Sequence, residues 1–256
     1  MIDSNYLSVQ IQSTLSLLDP AEFPTTYGYL SGVLDEEGEL SVAPYSIANT
    51  LLTLDKPLPF PDYVVDLITE LFEAEIAEGN ADAMNDLGAQ YYDGYRGFAQ
   101  SYEQAVHFYK LAAQNGSRQA QENLGYCYYY GRDGVPDYEK AFHYFALGAF
   151  DGHLISLYKI GDMYLNGYYV EKNESEAFYI YLHCLEGLND QNQAAVAGPV
   201  YLRMGRMFLH GLGTEQDAKA ALICYQKAES FLYDMVVGGE EMYRGSLRAA
   251  VKGQEL

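Results

Sequence analysis

The sequence predicts an all-α fold built from repeated helix–loop–helix units, and three observations predict it. A pattern recurs every 36 or 37 residues: Leu87-Gly88 falls on Leu124-Gly125, Tyr91 on Tyr128, Gly94 on Gly131, Ala105 on Ala141 and Gly116 on Gly152. Within each copy the Leu/Ile/Met, Gly and Tyr/Phe positions fall at i, i+1 and i+4, which lines up one apolar stripe of a helix. Each loop opens on a glycine suited to a left-handed C-cap and closes on Ser101, Asp137, Asn173 or Asp217, all good N-cap types.

The elements follow in order. Residues 4–18 read as an amphipathic helix (Leu7, Ile11, Leu15, Leu18), and 24–34 as a shorter one before the acidic turn "DEEGE". "APYSIANTLLTL" (43–54) is the first helix of a degenerate unit, and "DYVVDLITELFEAEIAEGN" (62–80) is its second, with Asp62 as N-cap. Between them "DKPLPFPD" is a proline-stiffened loop. The predicted divisions are an N-terminal cap with the degenerate first helix (1–61), the second helix of that unit (62–80), and four repeats at 81–116, 117–152, 153–188 and 189–235. The third copy carries Ile160-Gly161, Tyr164, Gly167 and Ala177. The fourth carries Met204-Gly205, Phe208, Gly211 and Ala221, after a join lengthened by "LNDQNQAAVAGP". Residues 236–256 form a capping helix, since open-ended repeat stacks need atypical terminal units. In each unit the glycine of the first helix is expected to meet the small alanine of the second.

The second copy, "RQAQENLGYCYYYGRDGVPDYEKAFHYF", resembles the Sel-one-like repeat (SLR), a longer-looped branch of the tetratricopeptide-like helical repeats. The resemblance covers about residues 81–230. The first copy departs from it at Ser101, where Asp is usual, the third lacks the second loop glycine, and the fourth has Thr214 at the valine position. The resemblance implies a right-handed α-solenoid and a scaffold or adaptor role. It also implies that the far face of each first helix lines a concave groove. A secreted branch of the family carries one cysteine pair per repeat, and this chain has no such pairs.

Composition narrows the partner class. Among 256 residues the net charge is −21, and residues 1–80 hold 14 acids against the single base Lys56. That field repels phosphate backbones and anionic membranes and suits basic or neutral partners. No apolar run approaches the length of a membrane span, and the N-terminus lacks the basic and continuous apolar regions of a signal peptide. Cys127, Cys184 and Cys224 sit in apolar helical patterns without CxxC spacing, which reads as buried reduced thiols in a cytoplasmic protein.

Motifs for chemistry are weak. "GLGTEQ" (211–216) begins like a phosphate loop but lacks the third glycine and follows a helix. His107 and His143 share a repeat position, yet Tyr179 and Ile223 fill it in the later copies, so it demands no metal ligand. No catalytic signature is present, and the expectation is a non-enzyme without metal or cofactor. What stands out is "LGYCYYYG" (124–131). Successive helical residues lie about 100° apart, so Tyr128 joins the core stripe while Tyr126, Tyr129 and Tyr130 face away. With Glu122, they are groove candidates. The corresponding positions elsewhere are Asn85, Tyr92 and Asp93 in the first repeat, Tyr158, Asp162 and Asn166 in the third, and Arg206 and His210 in the fourth. Tyrosines with carboxamides and carboxylates suit an extended peptide or partner helix; the alternative ligand is a saccharide stacked on the tyrosine faces.

Overall fold

A computed structural model describes residues 2–55, 58–132, 134–190 and 193–255. Lys56 and Pro57 of the proline-stiffened loop, Asp133, and Gln191 and Asn192 of the lengthened join lie outside the described residues. Among the described residues, thirteen α-helices and one 3-10 turn make up the regular structure. Among the described residues there is no strand, and one isolated bridge joins Leu34 to Leu40 around the acidic turn. The chain divides into two compact units, Met1–Pro136 and Asp137–Leu256, and the division falls inside the loop of the second repeat.

The first unit holds α1 (Ser4–Leu17), α2 (Pro24–Ser31), α3 (Pro44–Leu51), α4 (Asp62–Ala77), α5 (Ala81–Asp93), α6 (Tyr102–Gln114) and α7 (Arg118–Tyr129). Asp3 starts α1 by accepting a 2.8 Å hydrogen bond from the Tyr6 amide. Leu7 and Ile11 then bury against a core that includes Leu30, Ile47, Leu51, Leu67, Ile68, Leu71, Phe72 and Leu87. Each such side chain contributes about 1.5–3 kcal/mol of apolar transfer. One cap differs from expectation: Pro61, extended at ψ 153°, is the N-cap of α4, and Asp62 is its first helical residue. Pro61 has no amide to lose and its extended ψ sets the entry, so the Asp62 carboxylate faces the helix dipole instead of capping it.

The second unit holds α8 (Tyr138–Phe150), α9 (Leu154–Asn166), α10 (Glu174–Glu186), α11 (Gln193–His210), α12 (Ala218–Val237), a 3-10 turn (Glu241–Tyr243) and α13 (Arg244–Lys252). Two expectations change here. The described part of the lengthened join after Asn192 is helical, so α11 runs through Pro199. It is held there because α12 is long enough to meet it, with Gly198 against Leu232 and Phe231 and with Tyr201 stacked on Phe231 at 6.2 Å. The final capping helix is split, its first residues forming the 3-10 turn.

The repeat signals work as read at the helix ends. Ser101, Asp137, Asn173 and Asp217 each accept the amide three residues on, at 2.9 to 3.3 Å. Gly94 and Gly167 end α5 and α9 at φ 62° and 71°, a left-handed conformation open to glycine. The glycine inside each first helix does something other than expected. A Cβ on Gly88 would lie 2.9 Å from the Tyr109 ring, on Gly161 2.7 Å from Tyr181, and on Gly205 2.9 Å from Tyr225. In these three units the glycine is therefore a socket for the tyrosine four residues past the alanine, a position that Phe145 fills in the second repeat. The alanine itself contributes only a backbone approach, Ala105 O lying 3.3 Å from the Gly88 position.

Candidate functional site

With one stripe of α5, α9 and α11 closed by the tyrosine socket, the opposite face of these first helices is left to contact other repeats or a ligand. In the first unit that face carries a chain of polar contacts. Asn123 of α7 donates from Nδ2 to Asn85 Oδ1 of α5 at 3.0 Å. Asn85 Nδ2 donates in turn to Asp86 Oδ1 at 3.1 Å, and the Tyr45 hydroxyl of α3 donates to Asp86 Oδ2 at 2.8 Å. Three consecutive first helices are thus tied through Asp86. Burial, together with the hydrogen bond to Asp86, pushes the Tyr45 hydroxyl up to about 12.

Beyond this chain lies an aromatic group. Tyr92 and Tyr102 sit with ring centroids 5.2 Å apart, and Tyr126 stacks on Tyr130 at 6.3 Å. Tyr129 meets Tyr130 edge-on at 5.0 Å. Arg132, placed just past α7 by its amide bonding to Cys127 O at 2.8 Å, lies among them. Its Nε–H donates to the Tyr92 hydroxyl at 3.2 Å. Its guanidinium carbon stands 4.4 Å from the Tyr102 ring centre, 5.6 Å from Tyr92 and 5.8 Å from Tyr130. The hydrogen bond with Tyr92 raises the pKa of Arg132, and burial raises that of Tyr92.

In the second unit the same helix face is closed by charge. Arg203 of α11 grips Asp162 of α9 through Nε to Oδ1 and through a second guanidinium nitrogen to Oδ2 at 2.6 Å. Its third nitrogen donates to Pro199 O at 2.8 Å. The Tyr181 hydroxyl donates to Asp162 Oδ1 at 2.7 Å, Lys159 Nζ stands 3.8 Å from Oδ2, and Arg203 lies 5.0 Å from the Tyr158 ring centre. Burial alone would raise the pKa of Asp162; the Arg203 guanidinium outweighs it and holds the carboxyl below the ordinary range.

The sequence-predicted site residues are therefore in different situations. Asn85, Glu122, Tyr158 and Asp162 are buried, and Tyr92, Tyr126 and Tyr129 are half-buried. Tyr130 is 49% exposed. Asn166, which donates to Asp162 O at 2.7 Å, is exposed, as are Asp93, Arg206 and His210. Sequence reasoning missed Asp86, Asn123 and Arg203. All three directly precede the apolar–glycine pair of their repeat, and that shared register, filled by polar residues in an apolar helix, was the available signal. It also missed Tyr45, Tyr102 and Arg132.

Other features are quieter. Cys127, Cys184 and Cys224 are buried and unbridged, and burial pushes the Cys184 thiol up to about 12. Among the described residues no group of three His, Cys, Asp or Glu side chains could hold a metal, and no helix is long and apolar enough to cross a membrane. A cavity of about 390 Å³ lies in the first unit, lined by Leu7, Leu40, Val42, Ala74, Glu75 and Glu78 among others.

Comparison with known proteins bears on the repeat and the fold. The Sel1 repeat model matches residues 81–117, 118–153, 154–182 and 199–230. A search of curated proteins finds no match. Among solved structures, a protective antigen present in uropathogenic Escherichia coli strains and displaying an SLR fold aligns with a TM-score of 0.53 at 18% identity. The alignment covers 98% of this chain and 48% of that one, so this chain spans about half the length of the antigen. A Sel1 repeat protein from Oxalobacter formigenes aligns with a TM-score of 0.50 at 22% identity, covering 82% of this chain and 80% of that one. At these identities the likeness speaks to fold alone, which is an all-α solenoid.

Proposed function

The chain belongs to the Sel1 repeat family, whose repeats mediate protein–protein interaction and generally act as non-enzymatic scaffolds, and from that premise we propose that it binds a peptide segment of a partner protein on the tyrosine-bearing face of its first helices. The observation that carries this reading is the group Tyr92, Tyr126, Tyr129 and Tyr130, assembled away from the core stripe. Tyrosine brings large contact area with few rotamers to lose, which makes it a frequent interface anchor. The partner segment is neutral or basic, because residues 1–136 carry 20 acids and 5 bases. Reduced, buried thiols fit a reducing compartment such as the cytoplasm.

The test is a library of neutral, basic and acidic peptides screened for saturable binding to the wild type and to Tyr126→Ala/Tyr130→Ala. Each anchor contributes about 2 kcal/mol, so the double variant should lose binding of the selected peptides while its circular dichroism is kept. A sharp fall in melting temperature would make the tyrosines packing residues. Unchanged melting and unchanged binding would place the interface elsewhere.

A further inference from the structure

We propose that Tyr92, Tyr102 and Tyr130 form an aromatic receptor for a guanidinium group, that the chain's own Arg132 occupies it in the free protein, and that an arginine side chain of a basic partner peptide is the ligand that displaces Arg132. This deepens the peptide-binding reading above and rests on it.

The geometry around Arg132 is that of a bound cation. Three tyrosine rings lie within 6 Å of the guanidinium, the range in which a ring quadrupole attracts a positive charge. The Tyr92 hydroxyl accepts its Nε–H, which adds a directional contact that only a planar guanidinium supplies in this arrangement. Tyr92 and Tyr102 also have contacts that do not involve Arg132. Gln100 bridges the Tyr92 carbonyl at 2.9 Å and the Tyr102 hydroxyl at 3.2 Å, and Tyr92 also packs on the buried Tyr109. The occupant is the less constrained partner. Arg132 lies outside α7, next to the left-handed Gly131 and two residues before the exposed Gly134, and its side chain is only half-buried. Tyr130, which forms one wall, is half open to solvent.

Charge supplies the rest. The unit that contains the receptor carries a fourfold excess of acids over bases, so a basic peptide is drawn towards it. An arginine on that peptide would meet the rings and hydroxyl that now hold Arg132. A lysine would find the ring faces but could not reproduce the planar Nε–H contact with Tyr92. An internal occupant lowers apparent affinity by the fraction of time the site is filled, and removing it restores the intrinsic value.

The experiment uses fluorescence anisotropy with two labelled probes, an alternating Gly-Arg octapeptide and its Gly-Lys counterpart, on the full chain. Arg132→Ala should bind the arginine probe several-fold more tightly than the wild type. Tyr102→Leu should weaken arginine-probe binding in the Arg132→Ala background, and Tyr102→Phe, which keeps a ring, should largely retain it. In the wild type the Arg132 Nε–H resonance, assigned with Arg132→Lys, should lose its protection from exchange when the arginine probe is added. Unchanged or weaker arginine-probe binding in a folded Arg132→Ala would overturn self-occupancy. It would leave the peptide-binding reading intact if Tyr126→Ala/Tyr130→Ala still lost its selected peptides. Equal strengthening for both probes would overturn the guanidinium selectivity. Failure of every peptide to bind any variant would remove both readings together.

Discussion

In the first unit neighbouring first helices are joined by neutral groups, Asn123 donating to Asn85, whereas in the second unit the position matching Asn123 holds Arg203, clasped to buried Asp162. Both residues sit one place before the apolar–glycine pair, so the backbone register is shared and only the chemistry differs. A buried amide pair is neutral, so losing half of it costs little beyond the hydrogen bond and one orphaned polar group. A buried ion pair is nearly all or none, because removing one partner strands a charge in a poorly solvated place. The comparison teaches that this repeat tolerates wide variation at its inter-repeat contact, provided that each contact is complete.

Breaking the charged contact should have the largest effect. Arg203→Ala leaves Asp162 facing only the more distant Lys159 and the Tyr181 hydroxyl, and should cost about 3–5 kcal/mol in urea denaturation. Arg203→Met combined with Asp162→Leu should recover most of that, which would separate the stranded charge from lost packing. Acid should undo the same contact gradually. Because the folded-state pKa of Asp162 is depressed, its contribution is fully present above the ordinary carboxylate range of about 4 and is lost as pH falls through the lower folded value. Hydrogen exchange below pH 4 should therefore show α9 and α11 loosening more in the wild type than in that double variant. The amide pair in the first unit has no such acid dependence of its own.

A change common to both units comes next. Gly161→Leu would overpack the socket against Tyr181, and Gly88→Leu the socket against Tyr109, each costing about 1–3 kcal/mol in thermal or urea melts. Equal losses would show that the socket, unlike the inter-repeat contact, is a fixed feature of the repeat. The smallest effect should be Asn123→Ala, about 1 kcal/mol, since Asn85 keeps its bond to Asp86. A loss as large as that of Arg203→Ala would erase the distinction between the two kinds of contact.

The helices and their ends were legible because they depend on local chemistry. Ser101 or Asp217 as N-cap and Gly94 or Gly167 as C-cap need only their own neighbours in the chain. The course of α11 through Pro199 was not legible, because what sustains it is Phe231 and Leu232 on another helix. The helical angle separated Tyr128, which is buried, from Tyr130, which is half exposed. The same angle could not show that Asp162 would be covered, since its cover comes from Arg203, 41 residues away. Nor could it bring Arg132 to Tyr92, 40 residues earlier, because a residue beyond the helix end has no helical phase.

The tyrosine socket also bears on how the chain finds its fold. Gly88 to Tyr109, Gly161 to Tyr181 and Gly205 to Tyr225 are closures over about twenty residues within one hairpin, so little loop entropy opposes them and each hairpin can form early. The Asn85–Asn123 and Asp162–Arg203 contacts close 38 and 41 residues and require two hairpins to be in place. In a linear chain of such units the socket sets the intrinsic stability of a hairpin and the inter-repeat contact sets its coupling to the next. A neutral joint and a charged joint then give unequal cooperativity along one polypeptide. Partial unfolding should begin where the coupling is weaker, so hairpins joined by amides should open singly while those joined by the Arg203 clasp open as a pair.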